Sequence, residues 1–161
     1  MTKTTKTTTQ TVRINGARVR LVTSTAGKVT AKAALPLEWQ LQAAQVRSLR
    51  ALPEYGKLFL LAGDQNAAKR GRKAQAEALA AGMTAGEPDL RIYGKGGRLL
   101  LIENKVGRAT LTDSQRTRHP ALSALGHPVV VLRAVSAEEA STQAVALVRS
   151  WLSSDSSAIA A

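Results

Sequence analysis

Two short apolar segments joined by a glycine-rich turn place the firmest constraint on the fold. Residues 89–93 (DLRIY) and 98–104 (RLLLIEN) flank the turn Gly94-Lys95-Gly96-Gly97. Runs of this length that are rich in Leu and Ile and bounded by glycine are typical of β-strands. The sequence therefore predicts an antiparallel hairpin at this point of the chain.

The second strand of this hairpin carries an unusual set of charged residues. Strand alternation puts Leu101, Glu103 and Lys105 on one face, and Pro88-Asp89 opens the partner strand, where Asp89 can lie beside Glu103. Two close carboxylates repel each other unless a cation or a proton lies between them, and hard oxygen ligands suit Mg²⁺ or Mn²⁺. Lys105 can orient an attacking water and stabilise developing negative charge. These are the groups that phosphodiester hydrolysis requires, with Mg²⁺ or Mn²⁺ as the expected cofactor.

The other segments predict helices and strands around this hairpin. Both ends of the chain, residues 1–10 and 153–161, are expected to be frayed. A basic hairpin is predicted over 11–22, with its turn at Asn15-Gly16. Helices are predicted over 37–52, over 67–81, from Thr112 and from Ser136 to Trp151, and strands over 57–62 and 128–132. Thr112 and Gln115 have the spacing of a capping box, and Pro120 is expected to kink that helix or end it. The order predicts an α/β fold, in which a mixed β-sheet is flanked by helices and preceded by an N-terminal β-hairpin.

Composition narrows the class of protein. The 161 residues are 44% hydrophobic, which is enough for one compact core. The net charge of +12 indicates a polyanionic partner, either nucleic acid or an anionic membrane surface. No apolar run approaches the ~20 residues of a membrane span, and no secretory signal is visible, so we expect a soluble, cytoplasmic protein, acting in a bacterial host if it is phage-encoded. The absence of cysteine and the presence of only two histidines favour oxygen ligands for any metal.

A set of residues in fixed order resembles a known family. The set comprises Gly86-Glu87-Pro88-Asp89, Glu103-Asn104-Lys105, Gly107 and Gln115, with Glu38 on the first helix and Asn66 followed by basic residues. Together they resemble the VRR-type (virus-type replication-repair) nuclease domain, a member of the PD-(D/E)xK superfamily. The resemblance implies a restriction-endonuclease-like core over residues 35–152. The segments outside it are predicted from composition and pattern alone: a tail and hairpin arm over 1–34 and a disordered tail over 153–161.

The resemblance also implies roles for individual residues. Asp89, Glu103, Glu38 and the backbone carbonyl of Asn104 would bind the metal, Lys105 would be the catalytic lysine, and Gln115 would support the site. Residues expected to contact DNA are Asn66, Lys69, Arg70, Arg72, Lys73 and Arg108. One departure is Asn104, where relatives carry an apolar residue, so a buried amide there must find partners.

Several of these residues also have plainer interpretations. A Glu and a Lys two apart on a strand are often a surface ion pair, Glu38 can merely complement a helix dipole, and a capping-box glutamine has a sufficient structural purpose. His119 and His127 show no metal-ligand spacing and are expected to be structural, and Trp39 and Trp151 are expected in the core.

The sequence as a whole predicts a metal-dependent DNA endonuclease acting on branched DNA such as four-way junctions, as a homodimer. Two alternatives stay open: a nuclease acting on linear, flap or nicked DNA, and a catalytically inactive nucleic-acid-binding module.

Overall fold

The computed structural model describes residues 6–64 and 71–154, which divide after Leu35 into two compact units. The first unit is a three-stranded antiparallel sheet of β1 (Thr8–Ile14), β2 (Ala17–Thr23) and β3 (Val29–Ala33), with β2 in the centre. The turn between β1 and β2 is Asn15-Gly16, and both residues have positive φ, as a tight hairpin turn requires. None of residues 6–35 is buried.

This unit differs from the predicted hairpin in two ways. A third strand, β3, pairs with β2, and it was not predicted because its VTAKA segment contains two alanines, which have low strand propensity. Residues 1–10 were expected to be frayed, yet Thr8 to Gln10 belong to β1 and pair with residues 21–23. Threonine favours strands, and the pairing partner supplies the order that local sequence does not.

The second unit is an α/β domain built on a four-stranded mixed sheet, which confirms the predicted α/β class with a mixed sheet flanked by helices. Its elements are α1 (Glu38–Arg50), β4 (Phe59–Gly63), α2 (Arg72–Ala80), β5 (Leu90–Gly94), β6 (Leu99–Val106), α3 (Asp113–Ala124), β7 (Val129–Ala134) and α4 (Ala137–Ser153). The strand order is β4-β5-β6-β7, with antiparallel pairs except for the parallel pair of β6 and β7. The crossover between these parallel strands contains α3, and it places that helix over the sheet.

The core lies on one face of this sheet. Alternate residues of β5 and β6, among them Ile92 and Ile102, pack against Leu49 of α1 and Val148 of α4. Trp151 packs against the same cluster, as predicted, and the Arg98 guanidinium lies 4.4 Å from the centre of its indole ring. The opposite parity of β6 carries Glu103 and Lys105, so the core and the charged residues occupy different faces of the strand.

The structure bears on the predicted ends of two helices. The described part of the helix expected over 67–81 begins at Arg72, and residues 65–70 lie outside the described part of the chain. Pro120 does not end α3, which continues to Ala124, so of the two effects predicted for this proline, a kink or an end, the second does not occur. The proline removes one donor, the N–H that would bond the Arg116 carbonyl. No helix among residues 6–64 and 71–154 is long and apolar enough to cross a membrane.

Candidate active site

The predicted site residues meet at a cleft of about 770 Å³ in the second unit. Its lining includes Glu38 and Gln42 from α1, Asp89 at the start of β5, Lys105 near the end of β6 and Gln115 from α3. Glu103 is only 1% exposed and lies beneath this lining, in contact with Lys105 and Gln115. The structure thus brings together, from four separate elements, residues that span much of the sequence.

Asp89 is fixed through both its side chain and its backbone. Its Oδ2 accepts a hydrogen bond of 2.7 Å from the Asn104 N–H, and its carbonyl accepts one of 2.9 Å from Gln42 Nε2. Burial raises the pKa of the Asp89 carboxyl, the Asn104 hydrogen bond opposes that rise, and the negative charge of Glu38 adds to it. The carboxylate is therefore held in place beside other acidic groups, a position that favours a proton or a cation.

The turn before Asp89 reaches this position because of a glycine. Gly86 has φ +85°, and a Cβ at this position would lie 2.5 Å from the Ser114 carbonyl oxygen of α3. Only glycine fits such a close approach of two backbone segments. The G-x-P-D pattern thus has a physical reason, because Gly86 lets the turn pack against α3 while buried Pro88 leads into Asp89.

Glu103 and Lys105 form a buried ion pair. Lys105 Nζ lies 2.9 Å from Glu103 Oε1 and 3.2 Å from Glu38 Oε1, and the lysine side chain is 3% exposed. Burial, helped by repulsion from Asp89 and opposed by Lys105, raises the pKa of Glu103 to about 7. Burial acts to lower the pKa of Lys105, yet the hydrogen bonds to Glu103 and Glu38 outweigh it and leave that pKa raised. Lys105 is accordingly a permanent positive charge on the cleft wall.

Gln115 serves as a cap and as a site residue at once. Its Oε1 accepts from the Thr112 N–H at 2.9 Å, and its own N–H donates to Thr112 Oγ1 at 3.3 Å, which is the predicted capping box. Its Nε2 donates to Glu103 Oε1 at 2.5 Å. The two interpretations of Gln115 are therefore compatible, because the cap orients the amide that holds Glu103.

Asn104 occupies the other face of β6, where Gln45 is a hydrogen-bond partner of its buried amide oxygen. Its Oδ1 accepts a hydrogen bond of 2.7 Å from Gln45 Nε2, and both side chains are fully or almost fully buried. Gln45 was not predicted, because nothing in the local pattern links two residues so far apart in sequence. The N–H and C=O of one strand residue point to the same side of the strand. Because the Asn104 N–H donates to Asp89, the Asn104 carbonyl also faces Asp89, which is the direction that a shared metal ligand requires.

His119, which the sequence pattern predicted to be structural, lies beside Glu103 at the candidate site. It is 8% exposed, and its Nε2 lies 3.6 Å from Glu103 Oε2. Neither atom has a hydrogen-bond partner among residues 6–64 and 71–154. Burial and the nearby Lys105 charge lower the pKa of His119. Its position four residues after Gln115, on the same face of α3, was the signal that could have located it.

An ion cluster beside Asp89 was also not predicted. The Glu87 carboxylate accepts hydrogen bonds from Arg91 at 3.1 Å and from Arg118 Nε at 2.6 Å, while Arg91 also contacts Asp64 at 2.9 Å. These contacts tie the turn before Asp89 to β5 and to α3. They leave Glu87 compensated by two arginines, whereas Asp89 and Glu103 share the positive charge of Lys105.

Four of the predicted residues are placed differently from expectation or are absent from the cleft lining. Trp39 was expected in the core but is 63% exposed and lines the cleft, because it projects about 200° around α1 from the buried Leu41. Arg72, Lys73 and Arg108 are exposed and are not among the residues lining the cleft in the described part of the chain. The other predicted DNA contacts, Asn66, Lys69 and Arg70, lie outside the described residues.

The donor set fits a hard divalent cation that is held only partly by protein. Among residues 6–64 and 71–154, no three His, Asp or Glu side chains are grouped as a metal cage. Mg²⁺ is typically bound by one or two carboxylates, with waters and substrate phosphates completing its shell. Asp89 and Glu103 with the Asn104 carbonyl match that pattern, and Glu103 Oε2 accepts no hydrogen bond from the part of the chain that the structure describes.

Comparisons of the chain with protein-family models, with curated proteins and with solved structures found no match.

Proposed function

We propose that this protein is a Mg²⁺- or Mn²⁺-dependent DNA endonuclease with a PD-(D/E)xK-type site of the VRR kind. The observation that carries the proposal is that Asp89 and Lys105 line one cleft and that buried Glu103 lies directly beside them, 2.9 Å from Lys105 Nζ. Two acidic groups with raised pKa values beside a fixed lysine lower the stability of the fold, and groups perturbed in this way are concentrated at functional sites. The net charge of +12 supplies attraction for a polyanionic substrate.

The residues divide the work of phosphodiester hydrolysis among themselves. Asp89, Glu103 and the Asn104 carbonyl would hold the cation, with Glu38 at the cleft rim. When bound, the cation supplies Lewis-acid stabilisation of charge on the phosphate and its leaving oxygen. Lys105 donates hydrogen bonds toward the attacking water and the phosphate oxygens, and its charge offsets the negative charge that develops there. Gln115 fixes the rotamer of Glu103 through its amide.

Branched DNA is the substrate that we propose within this activity. Resolution of a four-way junction needs two symmetric cuts, and one chain supplies one set of Asp89, Glu103 and Lys105. A twofold homodimer supplies the second set. Sedimentation of the full chain, alone and bound to a four-way junction, tests whether it dimerises. A protein that stays monomeric under both conditions would exclude junction resolution and leave a nuclease for linear, flap or nicked DNA.

The activity itself is tested by a cleavage panel. The full chain is incubated with end-labelled linear, nicked, flap and four-way DNA of shared sequence, in Mg²⁺, in Mn²⁺ and in EDTA. We expect metal-dependent cleavage with preference for the branched substrate. Binding without cleavage of any substrate in either metal would contradict the nuclease and favour the inactive binding module.

A further inference from the structure

The amino-terminal sheet has two chemically different faces. Residues that are directly paired across an antiparallel sheet project to the same face. Val12, Val19 and Ala33 form one such row on an apolar face, and Thr11, Arg20 and Lys32 form a row on the other. The next row of this second face contains Arg13 opposite Arg18. We name the set Arg13, Arg18, Arg20 and Lys32 the basic face.

The basic face places like charges directly opposite one another. Arg13 faces Arg18, and Arg20 faces Lys32, although such pairs destabilise a sheet. The first 35 residues contain seven Lys or Arg and no Asp or Glu, so no carboxylate of this unit neutralises them. The guanidiniums of Arg13 and Arg18 donate to the carbonyls of Gly16 and Leu35, which satisfy donors without cancelling charge.

We propose that the basic face binds the phosphate backbone of duplex DNA, as a contact surface additional to the cleft. Neighbouring strands lie about 5 Å apart, so the four cations fall within roughly one Debye length and act together on an anion. Arg forks fit phosphate oxygens well. The choice of DNA among polyanions rests on the proposed function.

The chemistry of this face also indicates how DNA is recognised. The side chains around the four cations are Thr9, Thr11, Val22 and Thr30, and the face has no aromatic ring on which an unpaired base could stack, since residues 1–35 contain no Phe, Tyr or Trp. Contacts to phosphate alone carry no sequence information. The basic face therefore contributes sequence-independent affinity for duplex backbone.

The test compares two triple variants with the same change in charge. One removes cations of the basic face (Arg13→Gln, Arg20→Gln, Lys32→Gln), and the other removes exposed cations elsewhere (Lys28→Gln, Lys57→Gln, Lys95→Gln). Binding of a fluorescent blunt duplex is measured in EDTA over a range of salt concentrations. The basic-face variant should flatten the log–log salt dependence by up to about 2.7, for three lost phosphate contacts, while the control variant keeps the wild-type slope. Equal slopes in the two variants would overturn the proposal.

Two further measurements separate charge from side-chain shape, and DNA from membranes. Arg13→Lys with Arg20→Lys keeps both charges and should keep the salt slope even if affinity falls, because the slope reports how many phosphates are neutralised. A slope as flat in this variant as in the Gln variant would overturn the proposal. Vesicles containing phosphatidylserine test whether the basic face binds an anionic membrane instead. Loss of vesicle binding with unchanged DNA binding in the Gln variant would assign the basic face to membranes and overturn its DNA role.

Failure of this proposal and failure of the nuclease proposal give different results. A shifted salt slope without any cleavage would remove the nuclease activity and leave the basic face as a DNA contact. Normal cleavage with an unchanged salt slope would support the nuclease activity and exclude the basic face as a DNA contact.

Discussion

Replacement of Glu103 by Gln tests the electrostatics of the site in the absence of metal. The pKa of Glu103 is raised from 4.5 in the unfolded chain to about 7 in the folded chain. Between these values the folded protein retains a proton that the unfolded chain has lost, so the free energy of unfolding falls as pH rises. The stability lost is about 3 kcal/mol in full, of which about 2.5 kcal/mol falls between pH 5 and pH 8.

The glutamine variant should escape this loss. Its amide does not ionise, its oxygen can still accept from Lys105, and its NH₂ group would replace the Glu103 Oε2 that lies 3.6 Å from His119 Nε2. Urea unfolding in EDTA at pH 5 and at pH 8 measures the difference between wild type and Glu103→Gln. We expect that difference to shift by about 2.5 kcal/mol in favour of the variant at the higher pH.

Added metal provides the second half of the test. At pH 8, Mg²⁺ at ten times its dissociation constant should stabilise the wild type by about 1.4 kcal/mol and leave Glu103→Gln nearly unchanged. A stability difference that does not change with pH would refute the raised pKa, and would show that Lys105 fully compensates the carboxylate. Equal stabilisation of both proteins by Mg²⁺ would refute Glu103 as a ligand.

Three further predictions concern packing. Gln45→Leu or Asn104→Leu alone leaves a buried amide without its partner and should lower the free energy of unfolding in urea by about 1–3 kcal/mol, whereas the double variant should recover most of that loss. Additive losses in the double variant would contradict the pairing. Gly86→Ala should destabilise the protein by more than Gly82→Ala, which has a similar positive φ but open space around it; equal melting temperatures would contradict the close approach to α3. Trp39→Ala should change the free energy of unfolding by less than about 0.5 kcal/mol. A loss of several kcal/mol would show that the Trp39 side chain packs in the core.

The hairpin of β5 and β6 was predictable because its information is local. Glycines mark the turn, and strand alternation separates Glu103 and Lys105 from Ile102 and Asn104. The capping box at Thr112 was predictable for the same reason. Each of these features depends on residues within a few positions of one another.

The parts that could not be predicted depend on contacts between distant segments. Asn104 meets Gln45 across 59 residues, and Glu87 meets Arg118 across 31. The packing of α3 against the sheet decides that His119 faces Glu103, and no local pattern contains that fact. Trp39 is a different case, since its exposure follows from its angular position on α1 relative to Leu41.

The most direct test of the central claim is the single-turnover rate of DNA cleavage in Mg²⁺ for Lys105→Ala beside Lys95→Ala. The two variants lose the same charge, but Lys95 is exposed in the turn between β5 and β6, whereas Lys105 lies 2.9 Å from Glu103. We predict that Lys95→Ala cleaves at the wild-type rate and that Lys105→Ala loses at least about 10²-fold while still binding DNA. Cleavage by Lys105→Ala at the wild-type rate would contradict the assignment of this cleft as a nuclease site.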